Sequence, residues 1–129
     1  MNRNEFVEKY VEFMKCALDR AQQARREGIL TLENGLDKDK VSERDIFEYG
    51  MRFAVDGIDP LIIDQILTNI VAQEKDEYAR LLKVIQAAAV LEIQQGSHPQ
   101  ILFYKLNSYT DMSLKDDPAA AELSKRGLL

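Results

Sequence analysis

Two turn signatures constrain this chain more than anything else in it. Gly28 interrupts an otherwise unbroken amphipathic pattern, and Asp56-Gly57-Ile58-Asp59-Pro60 separates two more. Glycine lets the backbone bend where a side chain would clash. Asp56-Gly57 closes one helix, and Asp59-Pro60 opens the next, with Asp as N-cap and Pro at the first helical position. These marks over residues 25–67 specify an α-hairpin.

The flanking patterns fill in the rest. From residue 5 to 26, Phe6, Tyr10, Phe13, Met14, Ala17, Leu18, Ala21 and Ala24 recur at three- and four-residue steps with no Gly or Pro between them, which predicts a long amphipathic helix. Asn2 or Asn4 can cap it, and Arg25 and Arg26 oppose the negative end of its dipole. Residues 29–35 form a short apolar turn of helix closed by Gly35. Residues 37–45 read as a solvated loop, with Ser42 as N-cap of a helix running to about Asp56.

After Pro60 no Gly or Pro occurs until Gly96, and a near-heptad apolar stripe is broken only at Glu74 and Lys75. A single helix there would extend roughly 50 Å and pair antiparallel with the first. Gly96-Ser97-His98-Pro99 is a stop and a fresh start, with Ser97 or His98 as cap. Residues 101–109 continue as a packing helix, and the stretch from Asp116-Asp117-Pro118 to Lys125-Arg126-Gly127 repeats the cap pattern. The fold class expected is all-α: an elongated helical bundle of two long antiparallel helices plus shorter packing helices. Residues 1–112 form the domain, and 113–129 a C-terminal short helix or tail.

Composition removes several functions. The net charge of −5 and pI near 4.9 come without a cluster of Lys and Arg, which argues against nucleic acid and anionic membranes. The apolar run at residues 84–91 lies between Lys83 and Glu92, well short of the roughly 20 residues that span a bilayer. The N-terminus is charged and unlike a signal peptide, so the expected location is cytoplasmic, without membrane insertion. Cys16 and His98 are the only residues of their kinds, so no Cys/His metal set exists; Cys16 reads as a small core residue and His98 as a turn residue. Glu74, Asp76 and Glu77 sit among alternating charges, as on a solvated face, and no phosphate-binding glycine loop occurs. The expectation is a non-enzymatic protein with no catalytic, cofactor-binding or metal residues.

Two blocks carry a resemblance. Residues 25–33 read RREGILTLE, and after a charged spacer residues 50–60 read GMRFAVDGIDP before an Ile- and Leu-rich helix. This order resembles the cytoplasmic segment of MotA-type flagellar stator subunits, over roughly residues 15 to 80. The resemblance implies that Arg25 and Glu33 take the places of the charged stator residues that contact the rotor protein FliG, with Arg26 as a further basic contact. The chemistry alone is equally met by Arg25 and Arg26 completing a helix end and Glu33 being solvated. The four membrane helices of a stator are absent, which rules out ion conduction. The function implied is a flagellar motor-associated protein binding a FliG-like rotor protein or stator subunits through a charged helix bend. The alternative is a helical homo-oligomeric adaptor or scaffold unrelated to motility, dimerising through residues 78–93.

Overall fold

The computed structural model describes residues 1–36, 42 and 44–128, and among these every regular element is helical. In chain order they are α1 (Arg3–Glu27), a 3-10 segment (Ile29–Gly35), α2 (Ile46–Val55), α3 (Pro60–Val71), α4 (Glu77–Gln95), α5 (Pro99–Asn107) and α6 (Ala120–Lys125). This is the all-α bundle that the apolar spacing predicts. Helix α1 is capped by the Asn2 side chain, which accepts the Glu5 N–H at 2.9 Å. It buries Phe6, Tyr10, Phe13, Met14, Ala17, Leu18 and Ala21, the stripe read from the sequence.

The single long helix expected after Pro60 is instead a helical hairpin. Gln73-Glu74-Lys75-Asp76 offers no apolar side chain to bury, and its carboxylates supply other partners for the backbone. Glu74 Oε2 accepts the N–H groups of Lys75 at 3.0 Å and Asp76 at 3.4 Å. Asp76 Oδ2 accepts the Ala79 N–H at 2.7 Å and starts α4. Folded back, α3 buries Ile63, Leu67 and Val71. Among the described residues no helix reaches the expected 50 Å: α1, with 25 residues, extends about 37 Å, and α4, with 19, about 28 Å.

That reversal also corrects the expected antiparallel pair. Helix α4 runs parallel to α1, because the Met1 amino group meets Asp76 at 2.9 Å, Phe6 stacks on Tyr78 with centroids 5.3 Å apart, and Arg25 reaches the Gly96 carbonyl at 2.7 Å. It is α3 that runs antiparallel to both, since one extra turn reverses everything after it.

Helix α2 crosses α4 closely at the buried Gly50, where a Cβ would lie 2.7 Å from Val90 Cγ2 and 2.9 Å from Leu67 Cδ1. Its N-cap is Asp45, which accepts the Glu48 N–H at 3.2 Å, and not Ser42. Ser42 lies in the preceding turn, where its carbonyl accepts the Asp45 N–H at 3.0 Å. The rest of the loop expected over 37–45 lies largely outside the described residues.

Helix α4 is the centre of the bundle, packed by α1, α2, α3 and α5, and it buries Ile85, Ala89, Val90 and Ile93. Of the stripe at residues 78–93, expected as a dimer seam, Ile85, Ala88, Ala89 and Ile93 are buried within the chain, while Tyr78, Leu81 and Leu82 are half-buried against the core. Helix α5 returns antiparallel to α4, and α6 follows α1, with Arg126 donating to Asp19 at 2.7 Å and to Gln22 at 2.9 Å. No helix among the described residues is long and apolar enough to cross a membrane.

Candidate protein-interaction surface

The bend that ends α1 is held from both sides. Gly28 sits at φ +93°, a conformation that disfavours any side chain. Its N–H donates to the Ala24 carbonyl at 2.9 Å, and its own carbonyl accepts the Thr31 hydroxyl at 2.7 Å. Gln23 Nε2 donates to Thr31 Oγ1 at 3.3 Å, tying the 3-10 segment back to α1, while Leu32 and Leu36 are buried beneath it. A short apolar segment is thus locked across the end of the bundle with Leu30 turned outward, 68% exposed.

All three residues expected as partner contacts lie at this end and are exposed. Arg25 has a defined structural task as well. Its guanidinium donates to the carbonyl of Gly96, the left-handed residue that closes α4 (φ +81°), and so completes the C-terminal end of a neighbouring helix rather than its own. Arg26 lies beside it, and the two arginines with Gln22, His98, Pro99 and Leu128 line a shallow depression of about 190 Å3. Glu33 stands on the 3-10 segment beyond the bend. The exposed Leu30 between the arginines and Glu33 is a feature that the charge pattern did not single out.

Groups with reactive chemistry are placed structurally. His98 caps α5 through Nδ1, which accepts the Gln100 N–H at 3.1 Å, so the ring proton resides on Nε2. Cys16 is half-buried, and burial pushes its thiol above the usual range, away from the thiolate a nucleophile needs. No group of three metal-ligating side chains occurs among the described residues.

Two further features escaped the sequence. Asp117 is buried and accepts the Tyr10 hydroxyl at 2.5 Å, Asn107 Nδ2 at 2.9 Å and the Ala119 N–H at 2.8 Å. Burial, and then the bond to Asp117, hold the Tyr10 phenol far above its ordinary pKa, so it stays a donor. Its partner lies 107 residues away along the chain, a separation across which no local pattern carries information. The second feature is a groove between α3 and α4, made of two adjoining cavities of about 440 and 270 Å3 that share Asp64 and Leu91, with Tyr109 at its far end.

No protein-family model, curated protein or solved structure matches the chain.

Proposed function

We propose that this chain is a non-enzymatic protein-binding module that docks through the Gly28 bend onto a FliG-like rotor protein or a stator subunit of the flagellar motor. The observation that carries the reading is the exposed Leu30, held on a hydrogen-bonded bend between Arg25 and Arg26 on one side and Glu33 on the other. An apolar anchor on a pre-ordered backbone loses little entropy on docking, and the charges around it set register and association rate. The resemblance of the block around it to MotA-type stator segments supplies the class of partner.

The test is light scattering after size exclusion of the chain mixed with the C-terminal domain of a FliG-type rotor protein, at low and physiological salt. A complex weakened by salt, and lost in both Arg26→Glu and Leu30→Asp with unchanged helix content, supports the reading. A chain that forms no complex even at low salt, where exposed charge contacts are strongest, overturns it.

A further inference from the structure

The depression of about 190 Å3 beside the bend is walled from three segments: Gln22, Arg25 and Arg26 of α1, His98 and Pro99 at the start of α5, and Leu128 after α6. What its side chains have left to offer is hydrogen-bond donors. Gln22 Oε1 already accepts Arg126 Nη1 at 2.9 Å, so the free end of that amide is its NH2 group. His98 uses Nδ1 on the Gln100 N–H, which leaves the protonated Nε2 without a partner among the described residues. Arg25 gives one N–H to the Gly96 carbonyl and keeps the others. Arg26 has no hydrogen-bond or ion-pair partner among the described residues.

These free donors stand on an acidic chain. With 22 Asp and Glu against 17 Lys and Arg, carboxylates outnumber cations, and Arg3, Arg20, Lys83, Lys105 and Arg126 each pair with one. Among the described residues no carboxylate lines this depression. Two guanidiniums at one depression repel each other. An anion between them relieves that repulsion and accepts charge-assisted hydrogen bonds from both.

We infer that this depression binds a phosphate group, free or carried by a small molecule. Guanidinium forks match phosphate oxygens in pairs, and a tetrahedral dianion meets donors arriving from α1 and α5 at once, where a carboxylate has two oxygens and a single charge. Size sets the limit. Pockets that enclose a drug-sized ligand run about 300–1,000 Å3, so 190 Å3 takes a phosphate and a short stem beside Pro99 and Leu128 and leaves a nucleoside outside. One consequence rests on the docking proposal, since Arg26 belongs to both surfaces: phosphate bound here takes that arginine away from a protein partner.

His98 is the only histidine, so its ring protons give a single NMR reporter at the site. The whole chain is titrated with inorganic phosphate, with glycerol phosphate and with acetate, at fixed pH and with ionic strength held constant by chloride. The His98 signal is expected to shift and saturate in the millimolar range with both phosphates and not with acetate. Tighter binding of the ester identifies a phosphate monoester as the ligand, and equal affinity identifies free phosphate. Arg26→Gln, at an exposed position with no partner to lose, should raise the dissociation constant about tenfold with unchanged circular dichroism. A shift that stays linear with concentration, that acetate reproduces, or that Arg26→Gln leaves unchanged overturns the proposal. No rotor protein is present in the titration, so its failure leaves the docking proposal standing, and the reverse holds.

Discussion

Removing the Asp117 carboxylate should cost this protein more than any exposed change, and the amount follows from its partners. The side chain is 2% exposed and accepts three hydrogen bonds. In Asp117→Ala, Asn107 keeps its second contact, to the Met112 carbonyl at 3.2 Å, but the Tyr10 hydroxyl and the Ala119 N–H lose their acceptor in the interior. Each such orphaned donor costs about 1–3 kcal/mol. Against this stands the desolvation of the carboxylate itself, which the variant recovers. The balance is a loss of about 3 kcal/mol. With an unfolding entropy of roughly 2.1 cal/mol/K per residue over 129 residues, that is a fall in Tm of roughly 11 °C. The assay is calorimetric unfolding of wild type, Asp117→Ala, Tyr10→Phe and the double variant. Tyr10→Phe alone should cost about 2 kcal/mol, because a charge-assisted bond is lost. In the Asp117→Ala background the same change should be neutral or stabilising, because the hydroxyl then has nothing to donate to. A drop below about 3 °C for Asp117→Ala, or additive losses in the double variant, would mean that desolvation cancels the hydrogen bonds and that the cluster does not tie the C-terminal segment to α1.

Two further outcomes are expected. Gly50→Ala should lower Tm despite the better helix propensity of alanine, since the new Cβ meets the stiff Val90 side chain at 2.7 Å, and overpacking costs about 1–3 kcal/mol; the loss should shrink in a Val90→Ala background, by thermal melts of the four proteins. Glu74 is held below its ordinary value first by Lys83 and then by the Asp76 N–H. A depressed carboxylate stabilises above its unfolded pKa and loses that effect as pH falls through the folded one. The Tm advantage of wild type over Glu74→Gln should accordingly be present at pH 7 and vanish as pH drops below about 4, and an advantage that persists at about pH 2 would refute the assignment.

Local grammar in the sequence carried most of the element boundaries. Asn2, Asp59-Pro60 and His98-Pro99 start helices where cap preferences place them, and Gly28, Gly57 and Gly96 end helices at positive φ. Two boundaries without Gly or Pro failed: α2 has its start at Asp45 rather than Ser42, and the break after α3 was missed altogether. The break at residues 72–76 is made by carboxylates bonding backbone N–H groups, and its driving force is tertiary: α3 gains more by burying Ile63, Leu67 and Val71 on α4 than by extending the helix into water. Missing one turn then inverted the direction of the longest pairing. The exposed charges at Arg25, Arg26 and Glu33 were legible, whereas the groove was not, because it exists only once α3 folds back along α4 and Tyr109 comes to its far end.

The Arg25 contact decides how binding at the bend should be probed. An arginine donating to Gly96 at the end of α4 couples the surface to the central helix of the bundle. Arg25→Glu would remove a surface charge and at the same time set a carboxylate against the negative end of that helix. A lost complex in this variant would therefore report either a contact or a loosened α4. Arg26 and Leu30 lie at the same end of the bundle, and among the described residues no hydrogen bond of that kind ties them to α4. Substitutions at those two positions separate recognition from support.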